Sequence, residues 1–149
     1  MTGVSESSYG SNMAFVPKRS LYVPGLTYMQ TIRYAAKLRM SGHLEEKGES
    51  FDELIERRIN DVMTLMNLQK CKNRKIPKYP PTVGIMGGDL RRLSIALQIV
   101  ALPKVIIIDD PTLNFEPAIS MEIMGCIRKL AERKHIVLCF LSKPSLKGQ

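Results

Sequence analysis

Two pairs of residues carry the chemistry this chain could do. Gly87-Gly88 stands immediately ahead of an apolar-faced helical stretch, and Asp109-Asp110 closes a run of four aliphatic residues. A glycine pair at a helix start lets backbone N–H groups approach a phosphate with no side chain in the way. A carboxylate at the end of a buried strand can hold Mg²⁺ against that phosphate, directly or through water, so Asp109 is a candidate metal ligand. Asp110, the next residue, could orient or deprotonate a water. Each pair has a plainer reading, Gly-Gly as a tight loop and Asp110-Pro111-Thr112 as a turn. Helix, short loop and aspartate strand in this order favour nucleotide chemistry over either.

The elements that must position these residues are legible from periodicity and punctuation. Asp89 to about Leu102 reads as a helix, with Leu90, Leu93, Ile95, Ala96, Leu97, Ile99 and Val100 apolar and Pro103 as its stop. Val105–Ile108 reads as a strand buried on both faces. Pro117 suits the first turn of the next helix, which runs to about Arg133 with Ile119, Ile123, Ile127 and Leu130 inward. Ile136–Leu141 is a second buried strand. Strand, helix and strand at this spacing form a right-handed βαβ unit with parallel strands. Ligands of such sheets lie beyond the strands' carboxyl ends, where Asp109, Asp110 and Ser142 fall.

Upstream, Phe15-Val16 begins a short strand cut by Pro17, and Pro24-Gly25 marks a turn. Thr27-x-x-Gln30 is a capping box opening a helix to about Met40, with Tyr28, Ile32, Ala35, Ala36 and Leu38 on its apolar face. A polar loop spans 41–48. Ser50-x-x-Glu53 opens another helix, whose Leu54, Ile55, Ile59, Val62, Met63 and Met66 read as core. Lys70, Lys72, Arg74, Lys75 and Lys78 then form a basic stretch, read as a solvated extended connector ahead of Pro80-Pro81.

Composition narrows the function classes. The 149 residues are 44% hydrophobic and 24% charged, which describes one ordinary globular domain. A net charge of +8 suits an anionic partner or a solvated basic surface. No tryptophan and few aromatics argue against base stacking, so no nucleic-acid partner is expected. Cys71, Cys126 and Cys139 lack metal or disulfide spacing, which suggests a reducing compartment. No run of about 18 apolar residues spans a membrane. Residues 1–14 are polar and small, a disordered tail rather than a signal peptide.

The chain resembles the ATP-binding cassette family, in particular its G subfamily of eye-pigment-type half-transporters. There a signature V-S-G-G-E-R-K-R-L-S-I-A precedes a strand ending L-D-E-P-T-S-G-L-D; here the corresponding stretches run Ile85-Met86-Gly87-Gly88-Asp89-Leu90-Arg91-Arg92-Leu93-Ser94-Ile95-Ala96 and Ile108-Asp109-Asp110-Pro111-Thr112-Leu113-Asn114-Phe115-Glu116. The family's Y-V-P-Q-D-D and P-G-L-T-V-R-E-T-L-x-F-A-A-x-L-R resemble Phe15-Val16-Pro17-Lys18-Arg19-Ser20 and the segment from Pro24 to Arg39. Its H-Q-P-S is similar to Ser142-Lys143-Pro144-Ser145.

The resemblance implies an α/β fold: part of a P-loop NTPase (RecA-like) parallel-sheet core over 15–149, with an ABC-type helical subdomain over 26–79 and the signature, Walker B and switch regions over 84–149. It implies ATP and Mg²⁺ as cofactors, with Asp109 as the metal ligand. Lys18, Met86, Gly87, Gly88, Asp89 and Glu116 are then nucleotide-binding positions, and Asp110 and Ser142 catalytic ones. Partners would be a second nucleotide-binding domain and a transmembrane domain, and the location the cytoplasmic side of a membrane.

Several identities depart from the family. No G-x-x-x-x-G-K-[ST] phosphate loop occurs in these residues. Lys18 replaces a glutamine and cannot accept a hydrogen bond or ligate a cation. Met86 replaces the signature serine, Asp110 the catalytic glutamate, Ser142 the switch histidine, and Glu116 an aspartate. The expectation is a degenerate, truncated ATPase domain with very weak or no hydrolysis when isolated. The alternatives are a non-catalytic remnant or regulatory pseudo-ATPase and, last, a nucleic-acid-binding module. An exposed apolar sheet edge is also expected.

Overall fold

The structure, a computed structural model, describes residues 12–40 and 50–142. The expectations for residues 1–11, for the polar loop at 41–48 and for Lys143-Pro144-Ser145 lie outside the described residues. In chain order the elements are β1 (Met13–Val16), α1 (Tyr28–Met40), α2 (Phe51–Leu65), a 3₁₀ turn (Gln69–Cys71), α3 (Gly84–Ile99), β2 (Val105–Asp109), α4 (Pro117–Glu132) and β3 (Ile136–Phe140). The fold is mixed α/β around a parallel three-stranded sheet, β1-β2-β3, consistent with a partial P-loop NTPase core.

Both capping boxes form. The Thr27 N–H donates to Gln30 Oε1 at 2.9 Å, while the Gln30 N–H donates to Thr27 Oγ1 at 3.1 Å. Ser50 and Glu53 repeat the exchange at the start of α2. From there the spacing of apolar residues sets which face is buried. Tyr28, Ile32, Ala36 and Met40 of α1 share one core with Ile55, Ile59, Val62 and Met63 of α2. Leu38, expected on that face, is exposed. At 100° per residue it sits about 200° around the helix from Ala36.

Helix α3 runs through the centre of the molecule, and twelve of its 16 residues are buried. It starts at Gly84, five positions before the expected Asp89, because tertiary burial overrides the poor helix propensity of its glycines. It ends at Ile99 rather than Leu102, which takes a left-handed φ of 54° just before Pro103. The strand β1 begins at Met13, so Met13 and Ala14 belong to the sheet and not to the tail.

The strands at 105–108 and 136–141 were expected to be buried, the first on both faces, but each alternates, as β1 does. Ala14, Val16, Ile106 and Ile108 are buried on the helix-covered face, whereas Phe15, Ile136, Leu138 and Phe140 are exposed. A continuous aliphatic run records what a strand can bury, not which of its faces has a neighbour. The basic stretch is also more structured than expected. Thr27 and Lys75 form a β-bridge, Ile76 is buried, and the Arg74 guanidinium lies 5.2 Å from the centre of the Tyr28 ring.

Candidate functional site

The parallel register aligns Val16 with Ile108, and Ile108 with Cys139. Two or three residues further on, the three strands therefore deliver Lys18, Asp110 and Ser142 to one place. Lys18 Nζ stands 3.0 Å from Asp110 Oδ2. The Ser142 N–H donates to Asp110 Oδ1 at 2.6 Å, and the Ser142 hydroxyl donates to Oδ2. Asp110 adopts a left-handed φ of 43°, and its own N–H donates to the Phe140 carbonyl at 2.9 Å. Both carboxylate oxygens are thus engaged, and the side chain is 5% exposed.

These donors stabilise the charged form of Asp110. The Ser142 hydroxyl contributes most, then the Ser142 N–H and the Lys18 ammonium, and they lower its pKa from 3.8 to about 2. A carboxyl depressed in the folded state stabilises the fold above its unfolded pKa of about 3.9, and that contribution is lost as pH falls through about 2. The expected NMR titration of the Asp110 carboxyl has its midpoint near 2 in the parent chain and a higher one in Ser142→Ala. A parent midpoint at 3.8 would contradict the cluster.

The glycine pair lies inside the first turns of α3, not ahead of it. The Gly87 N–H donates to the Val83 carbonyl at 3.3 Å, so it belongs to the helical ladder. The orphan N–H groups at this end come from the residues before it. Gly84 supplies the left-handed φ of 69° with which the chain enters the helix. Both glycines are close-packed: a Cβ on Gly87 would lie 2.6 Å from the Thr82 carbonyl carbon, and one on Gly88 would lie 2.6 Å from Ile119 Cγ2.

The other expected site residues sit apart from the cluster in role. Met86 is partly buried and packs against the core. Glu116 is exposed and is the N-cap residue of α4. Asp89 is buried and holds two guanidinium groups, those of Arg74 and, at 2.5 Å, Arg92. Arg92 also pairs with Glu122, which accepts from Asn67 Nδ2 at 2.7 Å.

Arg91 is the site residue that sequence reasoning missed. It is 1% exposed and donates to the carbonyls of Pro17, Lys18 (3.1 Å) and Asp109 (2.5 Å). It therefore ties the segment after β1 to the end of β2. Burial pushes its pKa down, opposed by the charges of Asp109 and Asp110. The signal was present in the sequence: two adjacent arginines between Leu90 and Leu93, in a largely apolar helix, mark buried charges that need partners.

Asp109, the expected Mg²⁺ ligand, lies at the end of β2 next to the cluster. No group of three or more His, Cys, Asp or Glu side chains suited to a metal occurs among the described residues. Mg²⁺ needs only one or two carboxylates beside nucleotide phosphates. Asp109 could be one, while Asp110 is engaged by Ser142 and Lys18.

Comparison with known proteins adds an independent observation. The family model described as ABC transporter matches residues 2–113. ABC transporter G family member 7 of Arabidopsis thaliana is 29% identical over 146 residues, 97% of this chain and 19% of that protein. ABC transporter G family member 13 of the same plant is 30% identical over 132 residues, 89% of this chain and 18% of its own length. The ABC-type transporter claG of Penicillium crustosum is 27% identical over 134 residues, 90% of this chain and 17% of that protein. The chain thus spans less than a fifth of the length of these relatives.

Proposed function

This chain belongs to the ABC transporter family, as part of a G-subfamily nucleotide-binding domain, and from that premise we propose that it serves nucleotide-dependent transport without catalysing hydrolysis at its own strand ends. The family's role is ATP binding coupled to transport, together with transmembrane and partner domains. Its nucleotide-binding domains generally use ATP and Mg²⁺ and lie on the cytoplasmic side of the membrane. Among the described residues no helix is long and apolar enough to cross a membrane.

The observation that carries the proposal is the closed Lys18–Asp110–Ser142 cluster. A general base works best with a pKa near the working pH, and donors already on its oxygens weaken it further. Asp110 has both oxygens engaged and a pKa of about 2. In this reading the α3 end is offered to a nucleotide held by a second nucleotide-binding domain.

The test titrates the purified chain against an intact cassette domain, with and without Mg-ATP. The expected result is ATP-dependent association in which Asp110→Asn leaves the hydrolysis rate unchanged. Robust Mg-ATP turnover by the chain alone would overturn the reading. Absence of both association and ATP-dependent stabilisation would favour a non-catalytic remnant instead, since a ligand that binds only the native state must stabilise it.

A further inference from the structure

A cavity of about 380 Å³ opens beside the cluster, between the segment after β1, the first turns of α3 and the loop after β2. That volume lies within the range of small-molecule pockets. Its charged lining is Lys18, Arg19, Arg91 and Asp110, three cations against one carboxylate. Asp110 is matched by Lys18. Arg91, 1% exposed, has carbonyl partners only, and its Nε has no hydrogen-bond partner. Arg19 forms no ion pair among the described residues and sits on the exposed rim. The lining thus carries a formal charge of +2, offset in part by Asp109, which lies outside the lining and whose charge acts on the buried Arg91 guanidinium, where electrostatic attraction is least screened. The lining also includes an apolar and aromatic wall of Val83, Leu113 and Phe115.

We propose that this cavity binds a small phosphate monoester with an apolar or aromatic substituent, and that it does so without a divalent metal. The match is one of charge and shape. A phosphate monoester with a second pKa of about 6 carries close to two negative charges at neutral pH. Guanidinium groups suit its oxygens, and the Lys18 ammonium already stands beside Asp110 as a tethered cation. Arg91 sets the field from behind, and Arg19 and the hydroxyl of Ser20 line the same cavity. The apolar wall receives the substituent. The assignment is independent of the transport role, because it requires neither a nucleoside nor Mg²⁺.

The test is isothermal titration of the purified chain with phenyl phosphate in EDTA, at low salt and about pH 7.5. Saturable one-to-one binding is expected, weakened by salt, with inorganic phosphate binding more weakly and benzyl alcohol not at all. Arg19→Ala, at an exposed rim position, should weaken binding roughly tenfold, the loss of one charge-assisted contact. Phe115→Ala should weaken phenyl phosphate but not inorganic phosphate. Absence of binding in EDTA overturns the proposal, as does equal affinity in the parent and Arg19→Ala chains. The assay contains no ATP and no partner domain, so its failure leaves the proposed transport role standing, and the reverse holds.

Discussion

Asp89→Ala is expected to destabilise the chain by about 3 kcal/mol, the low end for a broken buried ion pair. Asp89 is 6% exposed and joins Arg74 of the connector to Arg92 of α3. Arg92 reaches Glu122 of α4, which in turn accepts from Asn67 beyond α2. Four segments distant in sequence thus converge on one chain of charges. Alanine at 89 leaves the Arg92 side chain, itself 5% exposed, with Glu122 as its remaining carboxylate. It also releases Arg74 from its anchor over Tyr28. The control is Arg128→Ala, whose partner Glu132 is one turn away on the exposed side of α4 at 3.2 Å. That exposed pair is worth only about 0.3–0.5 kcal/mol. Urea unfolding of the two variants measures both effects. An Asp89→Ala loss below about 1 kcal/mol would mean that the network is not the tie described.

Gly87→Ala is expected to destabilise the chain by up to about 2 kcal/mol, although alanine is the better helix former. The added Cβ would meet the Thr82 carbonyl carbon at 2.6 Å, its oxygen at 2.7 Å and the Phe115 ring at 3.2 Å. Two of those atoms are backbone and cannot rotate away. Overpacking of about 1–3 kcal/mol therefore outweighs a propensity gain of about 1 kcal/mol. Gly125→Ala is the matched contrast. It lies within α4, is exposed, and has nothing within 4 Å of a built Cβ. It should be more stable than the parent by about 0.5–1 kcal/mol. Thermal unfolding of the pair separates the effects by sign. A stabilising alanine at 87 would show that the loop at Thr82 yields, leaving phosphate approach as the reason for glycine there.

Those contacts mark how far the sequence could be read. The capping boxes at Thr27 and Ser50 were legible because each is a local exchange of hydrogen bonds between residues three apart. So was the βαβ unit, whose aliphatic runs, Pro117 and helical periodicity are all short-range signals. The start of α3 was not, because glycines that look like a loop are drawn into a helix by the burial of everything after them. Nor was the exposed face of the strands, since a valine or isoleucine run carries no record of which face finds a partner. Asp89 illustrates the same limit at the site. Its place in the signature resembles a nucleotide contact, while its position in the fold makes it the hub of an ion-pair network.

The order of elements, the family and the positions at the ends of the strands were determined by the sequence itself, because periodicity, caps and motif spacing are properties of neighbouring residues. Which of those positions touch was decided only by the tertiary structure. Lys18, Asp110 and Ser142 each read as a separate substitution until the parallel register sets three strand ends side by side and joins them into one cluster. Arg91 gained its role only when the carbonyls of Pro17, Lys18 and Asp109 closed around it. The physical reason is common to both: electrostatic and hydrogen-bond partners are chosen by distance in space and by exclusion of water, and neither is written along the chain.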